Sequence, residues 1–396
     1  MSAGEFISTK ITRRECLALG SLAIAGACGR RKSTGYPGYA LIATAGDDGL
    51  GVVDLTGFEL LRPIPLGAPP TAVLPGGPSG HSYVLTPSTG TIHVLDPALK
   101  VVRSRKLADE VSEVRLTSDG KHLVMRSGRS QELIQADAAS LRVTRRYRLA
   151  APPAGLDVPP IRYDGRLSPS YAAVSTGKHG TVEFFDLTTG QRSKAQLPGE
   201  PGALRFRADG ERLLVANLQG PSLTALNTPS LEVIADLPLA MRPENLCFNF
   251  DQGQLFVSGA GMDGVAIVFP YTTLEVEQTV LAGRDPGIMA CSANPAYLFV
   301  ASNSGSDVSI LDIQSRKVIG NVDTGQHPAY ITITPDSQYA LVLDGKTGVM
   351  AVIRIGAIQA NMSNAFKMRY KAVASLFTML PVGANPVHAA VGPKPA

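Results

Sequence analysis

SNSGSDVSILDIQSRK, residues 302–317, decides how the rest of the chain is read. A short turn rich in Gly, Ser and Asp runs into an alternating apolar stretch that ends at Asp312. Alternation with period two marks a half-buried strand. Gly tolerates positive φ and Asp bonds back to its own backbone, so both suit a tight turn between strands. Aligned on Asp312, the same unit recurs along the chain. Its counterparts are Asp54 in GVVDLTG, Asp96 in HVLDPAL, Asp137 in LIQADAASL, Asp186 in EFFDLTTG, Asn227 in TALNTPSL, Phe269 in AIVFPYTTL and Arg354 in AVIRIGA. The steps between them are 42, 41, 49, 41, 42, 43 and 42 residues.

A fixed period in the low forties is what a closed β-propeller of four-stranded antiparallel blades produces. Each period divides alike: YLFVAS, VSILDI and KVIGNVDTG read as three strands, and QHPAYITIT as a fourth. Turn signals follow the fourth strand at SDGK (118–121), YDGR (163–166), ADGE (208–211) and DQGQ (251–254). A proline recurs at its start, at Pro201, Pro243, Pro286 and Pro328, where the missing N–H lies outside the ladder. The repeated Asp reads as structural, its carboxylate accepting N–H groups of the following turn. Eight units are counted from Tyr39, with seven as the alternative. The last, PVHAAV (386–391), is placed to enter the sheet begun by YALIATA (39–45) and close the ring. Two units exceed the period: AAPPAGLDVPP (150–160) reads as a Pro-rich loop, and GAIQANMSNAFKMRYKAVAS (356–375) as an exposed insertion.

The stretch 301–343, ASNSGSDVSILDIQSRKVIGNVDTGQHPAYITITPDSQYALVL, resembles the YVTN-type β-propeller repeat family, and weaker copies run from residue 39 to 392. The resemblance implies an all-β, bacterial, exported propeller and is nearly silent on function.

Composition agrees. The chain has 396 residues, 44% of them hydrophobic, with 40 Gly and 29 Pro, which suits an all-β fold with frequent turns. Its net charge of +4 lies wholly within residues 1–32. A neutral body without a basic run, and without Trp, argues against nucleic acid. Residues 1–27 read as a signal peptide: an apolar run from Leu17 to Ala27 is too short to span a bilayer and fits an export h-region. Arg13 and Arg14 before it resemble a twin-arginine signal, with Cys16 where that signal usually has Phe. Ala25-Gly26-Ala27 before Cys28 resembles a lipobox, which implies lipidation of Cys28; plain cleavage at the same place is the alternative. Residues 28–38 then form a leash and 39–396 the propeller. The expected location is the periplasm or a membrane-anchored place in the cell envelope.

Chemistry is sparse. None of the six His stands at ligand spacing, and no nucleophile elbow, phosphate loop or dinucleotide fingerprint is present. No metal or cofactor is expected. Cys247 and Cys291 belong to no CxxC pair. They fall four and five residues after Pro243 and Pro286, so strand alternation sends them to opposite sides of neighbouring sheets. Two separate buried thiols are therefore expected. Charged turns converge on one mouth of the ring, and the binding candidates there are Lys178, His179, Arg242, Glu244, Asp263, Arg284, Asp285, Asp307, His327 and Lys346. The expected role is a non-catalytic propeller that binds a small molecule or a protein at this face. The alternatives are a lactonase-like or quinoprotein-dehydrogenase-like enzyme, and a self-assembling surface protein.

Overall fold

The structure, a computed structural model, describes residues 35–76, 80–271, 274–358 and 375–394. The segment holding Arg13, Arg14 and Cys28, and residues 359–374 of the expected insertion, lie outside these. Eight antiparallel sheets are present, seven of four strands and one whose outermost strand is broken into Glu59–Leu60 and Ile64–Pro65. Pro63 lies between the two pieces, where a ladder residue would need its N–H. Each sheet's innermost strand contacts that of the next sheet all the way round, so the sheets are the blades of an eight-bladed propeller.

The sequence unit and the blade are offset by one strand. The Pro-marked stretches Pro201–Phe206, Pro286–Cys291 and Pro328–Ile333 are innermost strands of the blades that follow them, numbered here 5, 7 and 8. In blade 6 the same role falls to Arg242–Phe248. Blade 1 takes its innermost strand from the far end of the chain: Pro386–Pro393 pairs with Gly38–Thr44 in the register Ala40↔Val391, Leu41↔Ala390, Ile42↔Ala389. This pairing joins the two ends of the described chain and leaves no blade with a missing strand.

The repeated polar residues act as the pattern implies. Turn N–H groups donate to Asp54 Oδ1 from Thr56 at 2.9 Å, to Asp96 Oδ1 from Lys100 at 2.8 Å and to Asp312 Oδ1 from Ser315 at 2.6 Å. The residue ending this turn is left-handed, at φ 65° for Leu99, 56° for Leu141 and 60° for Leu231. Glycine would relieve that strain, yet Leu141 and Leu231 are buried, and their side chains fill the core between blades. Burial offsets the backbone cost.

One segment departs from its sequence reading. Within 150–160, Gly155–Asp157 is not loop but the innermost strand of blade 4, paired as Leu156↔Val174 and Asp157↔Ala173. The true excursion is the connection after it. There the Ser168 hydroxyl donates to the Ala208 carbonyl, and the Ser168 N–H donates to Ser118 Oγ at 3.1 Å, which ties blade 4 to blades 5 and 3. The Gln252 amide reaches the Ile161 carbonyl at 3.2 Å, linking the same loop to blade 6.

Candidate functional site

The ten turn residues do share one end of the ring, since turns between second and third strands lie beside the connections into each inner strand. The Asp285 N–H donates to Asp263 Oδ1 at 2.8 Å across such a junction. Asp285 and Asp307 are half-buried, and Lys178, His179, Arg242, Glu244, Asp263, Arg284, His327 and Lys346 are exposed. Among the described residues none of the ten makes an ion pair. This end is a solvated face of mixed charge.

A denser group lies on the inner strands themselves, which sequence reasoning passed over. Arg115, Asp157, Arg205 and Cys247 occupy one register position in blades 3 to 6, opposite Val124, Ala173, Leu214 and Phe256. Arg115 pairs with Glu113 at 2.6 Å, and Arg126 meets the other oxygen of Glu113 at 2.7 Å. Arg205 lies 3.4 Å from Asp157 Oδ1, whose second oxygen accepts the Phe206 N–H at 2.7 Å. Burial pushes the Asp157 carboxyl up, against the pull of Arg205 and Arg115. Three guanidinium groups, Arg115, Arg126 and Arg205, are thus ion-paired with the carboxylates of Glu113 and Asp157.

The neutral wall comes from blades 8 and 1. Tyr330 Oη and His388 Nε2 are 3.1 Å apart, with ring centroids at 4.4 Å. Burial, joined by the charge of Arg115, lowers the His388 imidazole to about 4, so it is neutral at neutral pH. Its Nδ1 is buried and has no hydrogen-bond partner. The fields of Arg115 and Arg205 both reach Tyr330, which places both walls on the shared central channel. At the end opposite the charged turns the channel opens into a cavity of about 790 Å³. Arg115, Asp119 and Asp157 reach into it, and Leu74, Leu116, Val158 and Leu167 give it an apolar lining. That size, with few polar groups converging on a mostly apolar wall, is typical of a small-molecule site.

Cys247 and Cys291 are free thiols, as the sequence reading expected, but they are half-buried and adjacent rather than separate. Cys247 and Cys291 do point to opposite sides of their sheets, but in a ring the facing sides of adjacent blades meet. Their sulfurs are 3.9 Å apart in the core between blades 6 and 7, beside Phe256, Met289 and Leu298. Arg115 and Arg205 left a signal in the sequence: in EVRLT and ALRFR each stands between two apolar residues, Val114 and Leu116 or Leu204 and Phe206. His388 left less, because nothing in PVHAAV shows what the closing strand faces.

No family model matches this chain, and no curated protein matches it. Solved structures do. The dihydro-heme d1 dehydrogenase NirN in complex with DHE is similar over 89% of this chain and 75% of its own, at 14% identity and a TM-score of 0.70. Apo AztD from Citrobacter koseri is similar over 90% of this chain and 99% of its own, at 12% identity and a TM-score of 0.65. A functionally unknown protein from Desulfotomaculum acetoxidans covers 73% of this chain and 98% of its own, at 18% identity and a TM-score of 0.57. Identities this low bear on the fold alone, and they support the eight-bladed propeller.

Proposed function

We propose that this chain is a non-catalytic, ligand-binding propeller of the bacterial cell envelope, and that its channel takes an organic anion with an apolar body and carboxylate groups. The observation that carries the reading is an apolar-lined cavity of about 790 Å³ into which Arg115 reaches beside Asp119 and Asp157, with Arg126 and Arg205 ion-paired to Glu113 and Asp157 next to it. Guanidinium groups hold carboxylates through paired, charge-assisted hydrogen bonds, and they do so most strongly away from water. The neutral His388 adds an unused ring nitrogen on the far wall. NirN, a dihydro-heme d1 dehydrogenase similar to this chain in fold, is described in complex with DHE.

The test is an equilibrium titration of the full chain with three probes: protoporphyrin IX, which carries two carboxylates on a large apolar body, octanoate, and inorganic phosphate. Saturable uptake of one protoporphyrin per chain, with phosphate not taken up, is the expected result. Uptake of phosphate alone, or of no probe, ends the reading.

The envelope location rests on the sequence of residues 11–29. Changing Cys28 to Ser is expected to move the protein from the membrane to the soluble fraction. Replacing Arg13 and Arg14 together by Lys is expected to hold it in the cytoplasm. Unchanged fractionation in both variants argues against export by this signal.

A further inference from the structure

We infer that Cys247 and Cys291 form an oxidisable dithiol site, which a small-molecule disulfide converts into a covalent staple between the innermost strands of blades 6 and 7. The two residues are 44 apart in sequence, and their sulfurs already touch at 3.9 Å. A disulfide bond needs about 2.05 Å between sulfurs, so oxidation requires the two sulfurs to approach further. Neither strand is an even ladder here. Each has a register shift on the Pro side of its cysteine, between Pro243 and Asn245 and between Pro286 and Met289, so these strands are not held in strict pleat. Both thiols are half-buried rather than sealed, and Cys247 shares its register position with the channel residue Arg205 in the neighbouring blade.

The two thiols are chemically unequal. Hydrogen bonding from Cys291 lowers the Cys247 thiol, with help from the charge of Arg205, while burial raises Cys291 well above its ordinary range. Cys247, which holds the register position that Arg205 holds in the neighbouring blade, is assigned as the nucleophile and Cys291 as the resolving thiol, since the thiolate is the attacking form. In the first step the Cys247 thiolate attacks one sulfur of R–S–S–R. Its S–S bond breaks, and one RS⁻ leaves to take up a proton. In the second step Cys291 gives its proton to solvent, and its sulfur attacks Cys247 within the mixed disulfide, expelling the second RS⁻. Two protein thiols are oxidised and one small disulfide is reduced to two thiols.

The test uses the full chain with Cys16 and Cys28 changed to Ser, so that only this pair carries thiols. After incubation with oxidised glutathione, the denatured chain is expected to accept no alkylating label where it accepted two before. Its intact mass should fall by about 2 Da, with a cross-linked peptide joining Cys247 and Cys291. The oxidised form should also melt at a higher temperature, and dithiothreitol should reverse the shift. Cys291→Ser should trap a stable glutathione adduct on Cys247, while Cys247→Ser should stay largely unmodified. The inference fails if both labels persist after oxidation. It also fails if each thiol carries its own glutathione, or if Cys247→Ser is the variant that traps the adduct.

Discussion

Asp344 shows what a single carboxylate does in this ring. It is fully buried at the end of the second strand of blade 8 and accepts backbone N–H groups from Gln326, His327 at 3.2 Å, Lys346 at 2.8 Å and Thr347 at 2.9 Å. It therefore fixes a turn and the neighbouring connection together. Burial acts to raise its carboxyl, but the four N–H donors outweigh burial and hold it below its ordinary range. Replacing it with Ala strands those donors and should cost about 2–4 kcal/mol in urea unfolding; a change under 0.5 kcal/mol would show that water replaces them. His388 gives the pH signature. Its folded value of about 4 lies below the ordinary histidine value of 6.5, so the unfolded chain binds the extra proton first. Stability from this residue is complete above pH 6.5 and is lost as pH falls toward 4. Melting temperature should decline across that window in the wild type and decline less in His388→Gln, and parallel curves would contradict the assignment. The turn aspartates were readable because their role is local and repeats with the period. Asp344, Asp157 and His388 were not, because what they bond or face is set by a neighbouring blade.

Among the elements, the closing strand Pro386–Pro393 carries the most. It supplies the innermost position of blade 1, and it touches the innermost strands of blades 8 and 2 as well. Ending the chain at residue 385 removes that position and bares the edge of Gly38–Thr44. The truncated protein should lose its single cooperative thermal transition and aggregate, because an open apolar edge pairs with other chains. A soluble monomer melting as the full chain does would mean that closure contributes little. This strand was legible as PVHAAV because its apolar run sits at the period's end. The inner strand of blade 4 was not. Gly155–Asp157 spans three residues between Pro152-Pro153 and Pro159-Pro160, too short to show alternation. Its identity comes from pairing with Tyr171–Ser175, a long-range fact that composition hides.

At the scale of the whole molecule, eight blades set a channel whose two walls differ: arginines and carboxylates come from blades 3 to 5, and Tyr330 and His388 from blades 8 and 1. The blade number followed from the period of the repeat. The wall did not, because periodicity describes what the blades share, and the channel site is built from positions where they differ. Turns drew attention because their charges are expected on a surface, whereas Arg115 and Arg205 gain meaning only once the ring brings their strands to one axis. The central claim is that this wall, and not the charged turns at the other end, holds the ligand. The direct measurement is protoporphyrin IX affinity for three proteins: the wild type, Arg115→Ala with Arg205→Ala, and Arg242→Ala with Arg284→Ala. Losing two charge-assisted contacts should weaken binding about tenfold or more in the channel pair, while the turn pair should bind as the wild type does. Equal affinity in all three, or a loss confined to the turn pair, would contradict the account.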